Sequence, residues 1–422
     1  MVWKTAAITP IPKEKTVNSL DQLRPIALTP IFARVFESFI AKWIVDDIAE
    51  HIDKKQFGNV KGSSTVHYLV DLLRFVLEGL DKPGHYAYLS TIDFTKAFDR
   101  VNHNIVVKKL IELGVRRSII PIICSFLTGR TQTTKIGKHT SPPLSTTCGV
   151  PQGTKLGPIL FLILVNDALS SYENKWKYVD DLTIGEVVKR NQLTTLQNTL
   201  DNLSVWCQQN DILPKPAKCN LMRVCFLRNM EPPTNFILNN VQLNVVPHLK
   251  LLGITIQDDL KWDLHVENIV SKASRKLYTL CILKKCKTPI EDMVIVFCCY
   301  IRPVLEYACP VWHTSLTEAQ ANKIEFVQKR ALRIIMGRDY TGYDEALKVC
   351  KLPSLSNRRD TLLENFGIKM FHSVKHRHLL PPTKASTSSR QLRDMSGLCT
   401  IRCHTERYRK STIPFLARNL KV

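Results

Sequence analysis

Apolar residues fall at helical spacing over several stretches and alternate or cluster over others. Ile31, Val35, Phe39 and Trp43 predict a helix across Pro30 to Ala49, and Leu69, Leu72, Leu73, Val76 and Leu77 predict another from Thr65 to Leu80. Tyr86 to Asp93 reads as a buried strand that ends in a carboxylate, and Asn104 to Leu113 as a helix. Ahead of these, β-prone pieces (Ala6 to Ile8, Ile26 to Leu28) are punctuated by prolines at 10, 12, 25 and 30, as in edge strands and turns. A Pro/Ser/Thr-rich turn region, Thr140 to Thr147, precedes a glycine-bearing loop that runs into an apolar helix, Gly149 to Asp167. Lys175 to Val188 holds two short strands about a pair of aspartates, and Gln192 to Gln209 a long helix. This order predicts an α+β fold, an antiparallel sheet with helices on one face. Beyond Asp258 the pattern is helical, at Leu277 to Leu283, Ile290 to Tyr300 and Glu318 to Met336. Three units follow: 1–257, a helical 258–380, and a basic linker and tail, 381–422.

Charge narrows the class. Lys and Arg number 59 against 37 Asp and Glu, a net of +22 in 422 residues, which favours a polyanionic partner and makes nucleic acid the first expectation. The excess is greatest from Asn357 to Val422, with fourteen basic and four acidic residues. Within that region Pro381-Pro382 and Thr383 to Ser389 read as a linker. The thirteen cysteines are odd in number and scattered, the pattern of reduced thiols in an intracellular protein of nucleus or cytoplasm. The most apolar runs, Ile159 to Val165 and Met293 to Ile301, fall short of the ~20 residues that span a bilayer, so no membrane partner is expected.

Three aspartates interrupt apolar, β-prone runs: Asp93 after Tyr-Leu-Ser-Thr-Ile, and Asp180 with Asp181 in Lys-Tyr-Val-Asp-Asp-Leu-Thr. Neighbours on a strand point to opposite faces, so Asp180 and Asp181 converge only at a tight turn, which a hairpin tip supplies. Carboxylates on adjacent strands suit Mg²⁺, and two such ions ~3.5 to 4 Å apart stabilise both the attacking and leaving oxygens of a phosphoryl displacement. An Asp pair alone is more often an ordinary turn. Here it stands third in an ordered series: Asp-Phe-Thr-Lys-Ala-Phe-Asp at 93 to 99, Gly-Val-Pro-Gln-Gly at 149 to 153, Tyr-Val-Asp-Asp at 178 to 181.

Together these closely resemble the palm motifs of reverse transcriptases, and further segments are similar to those of non-LTR retrotransposons of the LINE and jockey type. Lys4 to Lys13 and Leu23 to Glu37, with Arg-Pro-Ile at 24 to 26, resemble two fingers motifs. His248 to His265, with Leu-Leu-Gly at 251 to 253 and Leu-Lys-Trp at 260 to 262, resembles the primer grip, and Tyr300 to Trp312 with Gln328 to Gly337 the thumb. The resemblance implies a right-hand polymerase of partial fingers, palm and helical thumb, an RNA-directed DNA polymerase with an RNA template, a DNA primer and dNTPs as partners. It implies two Mg²⁺ ions (Mn²⁺ as a substitute) on Asp93 and Asp180, with Asp181 as the third carboxylate. Phe98 takes the position of the ring that excludes a ribose 2′-hydroxyl, and Asp99 that of a second acid, a helix-starting or hydrogen-bonding group. Gln152 and Gly153 would pack on the incoming nucleotide beside Tyr178, and Arg24 with Lys13 or Lys15 would meet the triphosphate. Lys218, in Lys-Pro-Ala-Lys-Cys, would protonate the departing pyrophosphate, although Pro214-Lys215 departs from the Leu-Asn that relatives carry there. Met1 lies almost against the first fingers motif, so the chain reads as an N-terminally truncated copy without an endonuclease.

Two other readings belong to different classes. One is a catalytically inactive or host-recruited nucleic-acid-binding remnant, maturase-like, which retention of all three aspartates disfavours. The other is RNA synthesis on RNA, which Phe98 disfavours. Cys399, Cys403 and His404 with His372, His376 and His378 match no zinc spacing. Tyr300, Tyr307 and Trp312, amid aliphatic neighbours, read as core.

Overall fold

The computed structural model describes residues 2–13, 16–387 and 397–420. The chain opens with β1 (Thr5–Pro12) and β2 (Leu23–Leu28), an antiparallel pair that sets Ile11 opposite Arg24. Two helices follow, α1 (Ile31–Ile48) and α2 (Thr65–Leu80), and then the strand β3 (His85–Ile92). Next come α3 (His103–Glu112), α4 (Ile120–Leu127) and β4 (Arg130–Ile136), which returns to lie parallel to β1. An irregular stretch leads into α5 (Leu156–Val165), the hairpin β5 (Lys175–Tyr178) and β6 (Asp181–Lys189), and α6 (Leu196–Gln209). Strands β7 (Asn220–Val224) and β8 (Asn244–Val245) and the hairpin β9 (His248–Leu251) with β10 (Ile254–Gln257) complete this part.

The central sheet has the order β8-β7-β3-β6-β5 and is antiparallel except for β8 on β7. Helices cover both of its faces, not one as the sequence order predicts. Tyr86, Tyr88 and Ile92 of β3 join a core with α1, α3, α5 and α6, while Ala87 and Leu89 join a second core with α2 and the helices beyond 258. The reason lies in β3 itself: Tyr86 to Leu89 has no polar residue at either parity, so both faces must be covered.

The helical part packs α7 (Asp263–Lys285), α8 (Ile290–Val296), α9 (Glu318–Met336) and α10 (Leu355–Phe371) around Leu277, Leu280, Met293, Ile324, Val327 and Ile335. α9 starts with reciprocal hydrogen bonds: Thr317 N donates to Gln320 Oε1 (2.9 Å) and Gln320 N to Thr317 Oγ1 (3.3 Å). The run from Ile290 to Ser315 is long and apolar enough to cross a membrane. Here it breaks at Ala308 (φ 52°) and buries Met293, Phe297, Ile301, Leu305 and Trp312 in the second core. Tyr300 and Tyr307, expected in the core, are half open instead. Tyr300 carries the Lys276 ammonium 3.8 Å from its ring centre, and Tyr307 donates its hydroxyl to Leu252 O (2.7 Å).

Residues 397–420 fold back onto α2 where the sequence suggests a basic tail. Tyr408 and, on α11 (Thr412–Asn419) and just after it, Ile413, Leu416 and Leu420 are buried in the second core. Asp81, just past α2, accepts from His404 N (2.8 Å), Thr405 N (2.7 Å) and Thr405 Oγ1 (2.7 Å). Residues 388–396, where the expected linker ends, lie outside the described residues.

Candidate active site

β5 and β6 are joined by two residues, Val179 and Asp180, with Tyr178 paired to Asp181 across the turn. Val179 has φ 60°, a left-handed conformation that a β-branched residue resists at a cost of ~1–3 kcal/mol. The turn is held in it by the segment just after α1. Phe57 N donates to Lys177 O and Lys177 N to Lys55 O, both at 2.9 Å. Gly58 lies so close that a Cβ there would stand 2.6 Å from Val179 N. Beneath the turn Lys177 is enclosed, its ammonium 2.6 Å from Asp53 and donating to the carbonyls of Val165, Asn166 and Ala168 at 3.1, 2.7 and 3.2 Å.

β3 runs antiparallel beside β6 with Ile92 opposite Leu182, so the next residue, Asp93, comes level with Asp181. Asp93 is held by its backbone: its N–H faces Cys219 Sγ (3.4 Å) and its carbonyl accepts from Lys215 N (2.7 Å). Asp180 and Asp181 both feel the charge of Asp93. Crowding by surrounding protein raises the pKa of Asp180, and Asp93 adds to the rise while the Arg24 charge opposes it. Asp181 is pushed up to about 6 by the same crowding and then by Asp180 and Asp93. Both residues nevertheless reach solvent. Oxygen donors whose negative charges repel one another suit a hard divalent cation. Among the described residues no three His, Cys, Asp or Glu side chains already converge on one metal position. The donor set therefore fits the mode in which Mg²⁺ is held by one or two carboxylates and completed by substrate phosphates and water.

Arg24 stands exposed on β2 and acts on Asp180 through its charge, so the fold brings it to the carboxylates. Gln152 is tied to the same strand, its carbonyl accepting from Ala27 N at 2.7 Å. Gly153 (φ 116°) lies where a Cβ would meet Ala27 O at 2.7 Å. Phe98 is half-buried and stacks on Phe161, centres 4.7 Å apart. Tyr178 stands edge-on to Tyr68, whose hydroxyl donates to Thr183 Oγ1 (2.6 Å) behind Asp181. Lys13 is exposed, its backbone N–H bonded to Gln22 O (2.8 Å), and Lys15 lies outside the described residues. Lys218 is exposed on a short turn after Lys215, and the bond from this segment to Asp93 runs through the Lys215 backbone. Pro214, the departure in this segment, is buried and bridges to Phe94. His376, grouped in sequence with Cys399, Cys403 and His404, is instead buried, stacked on His67 (4.0 Å) and bonded to Ser63 Oγ (2.9 Å), and among the described residues no three such side chains converge on a metal position.

Several residues that shape the site escape sequence reasoning. Glu37 of α1 is buried and accepts from Lys155 N (2.7 Å) and Leu156 N (3.3 Å), capping α5 where the loop ends; burial raises its pKa. Its place within a fingers-like motif is the one hint in the sequence. Gly58, Asp53 and Lys177 carry none, because their partners lie more than a hundred residues away.

The family model described as reverse transcriptase (RNA-dependent DNA polymerase) matches residues 11–256, more than half of the chain. The probable RNA-directed DNA polymerase from transposon BS of Drosophila melanogaster is 27% identical over 402 residues, covering 90% of this chain and 44% of that protein. The RNA-directed DNA polymerase from mobile element jockey of the same fly is 26% identical over 381 residues, covering 86% and 41%. The chain thus spans less than half the length of these relatives. A solved structure of telomerase from Candida Tropicalis in complex with a TWJ fragment of telomeric RNA aligns with a TM-score of 0.46 at 11% identity, over 89% of this chain and 63% of that one. On the family match, which covers more than half of its residues, the chain belongs to the reverse transcriptase (RNA-dependent DNA polymerase) family.

Proposed function

We propose that this chain extends a primer 3′-hydroxyl with dNTPs on an RNA template by nucleotidyl transfer, inside the cell. The observation that carries the reading is the placement of Asp93 level with Asp181 on the neighbouring strand and beside Asp180 at a strained hairpin tip, with the Arg24 charge acting on Asp180. Mg²⁺ or Mn²⁺ held by Asp93 and Asp180, with Asp181 beside them, would supply Lewis-acid activation of the hydroxyl and neutralise the pyrophosphate. Arg24, with Lys13 beside it, binds the triphosphate through charge-assisted hydrogen bonds. Phe98, backed by Phe161, closes the space a ribose 2′-hydroxyl would need, and Gln152, Gly153 and Tyr178 line the nucleotide position. Lys218, exposed beside the segment bonded to Asp93, would give its proton to the departing pyrophosphate. The basic surface holds the duplex by its phosphates, so binding weakens steeply with salt.

Primer extension on an RNA template with dNTPs and Mg²⁺, comparing the chain with Asp180→Asn, tests this. Extension by the chain and its loss in the variant support the reading. If neither extends, while both bind primer-template with steep salt dependence, the chain is a nucleic-acid-binding remnant.

A further inference from the structure

Residues 147–155, which carry Gln152, have no regular structure. Besides Ala27 of β2 and Glu37 of α1, the segment that carries Phe98 holds them. Val150 N donates to Phe98 O (2.8 Å) and Gly149 N to Val101 O (2.9 Å). His103 Nε2 stands 2.8 Å from Gly149 O, and the Cys148 thiol lies 3.5 Å from Asp99 O. Gly149 has φ 82°, and a Cβ on it would stand 2.7 Å from Asp99 O, so the two backbones are as close as they can be. The one side chain to side chain bond in this zipper runs from Gln152 Nε2 to Asp99 Oδ1, at 3.2 Å.

The chemistry of the two polar partners is directional. An ionised carboxylate only accepts, so Asp99 requires the Gln152 amide to present its NH₂ and leaves the Oε1 acceptor for other partners. A carbonyl only accepts as well, so His103 must carry its proton on Nε2 to bond Gly149. The polymerase reading, on which this inference rests, gives Asp99 no partner beyond a general helix-starting or hydrogen-bonding role and gives His103 none.

We propose that Asp99 and His103 are positioning residues for nucleotide selection: they lock the 149–153 loop to the Phe98 segment, so that ring and amide are set as one unit, and Asp99 fixes the polarity of the amide. Slippage of this zipper degrades dNTP affinity and sugar discrimination together and leaves the three carboxylates where they are.

The test is single-nucleotide insertion by the full chain on an RNA template, with kcat and KM measured for a dNTP and the matching ribonucleotide. Asp99→Asn, which accepts the amide in either orientation, should raise KM for the dNTP roughly tenfold with a smaller change in kcat, and narrow the dNTP over rNTP preference by a similar factor. His103→Ala should do likewise, and His103→Gln, whose amide can still donate to Gly149 O, should restore most of both. Thermal midpoints measured alongside separate this from unfolding. A fall in kcat with KM and sugar preference unchanged, or variants within twofold of wild type, overturns the proposal. A parallel assay uses a dideoxy-terminated primer and scores dNTP-dependent retention of the ternary complex, so that affinity and sugar preference are read without turnover. If the unsubstituted chain neither extends nor retains that complex, the polymerase reading fails and this inference falls with it. If it does both and the variants equal it, the inference alone fails.

Discussion

Within one hairpin, two charged clusters meet opposite fates. Just beneath its turn Lys177 is 2% exposed, and Asp53 and three backbone carbonyls meet its ammonium. Burial pulls its pKa down to about 8 although Asp53 resists the shift; burial likewise works to raise Asp53, yet the Lys177 charge holds that carboxyl below the ordinary range. Three residues further on, Asp180 and Asp181 face Asp93, like charges on like, with Arg24 opposing. The fold neutralises the first cluster internally and leaves the second open to solvent. A charge satisfied within the chain holds the structure; carboxylates left repelling one another at a solvent-facing turn are set for cations from outside.

The largest expected effect comes from opening the closed cluster. Lys177→Met removes the donor from three carbonyls and leaves Asp53 with Lys175, 3.4 Å away, as its remaining cation. A loss of about 3 kcal/mol is expected in urea denaturation, because a buried partner is stranded. Pairing it with Asp53→Asn should recover part of that loss. Asp180→Asn in the open cluster should lower stability little while abolishing primer extension. Equal stability losses for Lys177→Met and Asp180→Asn would erase the distinction.

A smaller effect is expected where the clusters touch. Gly58→Ala puts a methyl against Val179 N and must displace either the 55–58 segment or the turn. Overpacking of this kind costs ~1–3 kcal/mol. Because Asp180 sits in that turn, extension should fall by more than the stability loss explains at temperatures where the variant is folded. Wild-type extension by Gly58→Ala would show that the strained turn tolerates movement.

How much of this was legible depends on how local the signal is. α2, the β5–β6 hairpin and α9 follow their apolar spacing, and the Asp pair needs only the hairpin tip to be read as a site. α7 extends well beyond the expected 277–283, to Asp263–Lys285, because its buried Val266, Ile269 and Ala273 are separated by charged and polar residues that mask the period. The burial of residues 408–420 was hidden by their basic neighbours: Tyr408, Ile413 and Leu416 find α2 more than three hundred residues away. Lys177 reads as an ordinary polar strand position, since a lysine's burial is decided by Asp53, distant in sequence. Asp99 was legible as a hydrogen-bonding acid; its partner Gln152 was not.

The subtlest test addresses the repulsion itself. Asp181 has a folded-state pKa of about 6 against an ordinary 3.8, so between those values the folded chain binds a proton that the unfolded chain has released. Stability from this group is full below about pH 4 and is lost as pH rises through 6, the sign for a carboxyl whose pKa is raised. Asp181→Asn cannot ionise, so without divalent cation its melting midpoint should exceed wild type's at pH 7 and match it near pH 4. Mg²⁺ should reverse the order at pH 7 by relieving in the wild type a repulsion the variant lacks. The same shift predicts that the Mg²⁺ concentration needed for half-maximal stabilisation of the wild type rises as pH falls below 6, because cation and proton compete for one carboxylate. An offset between the two proteins that is the same at pH 4 and pH 7, with or without Mg²⁺, would mean that Asp181 is compensated within the fold as Lys177 is, and the contrast between the two charged clusters of the hairpin would be lost.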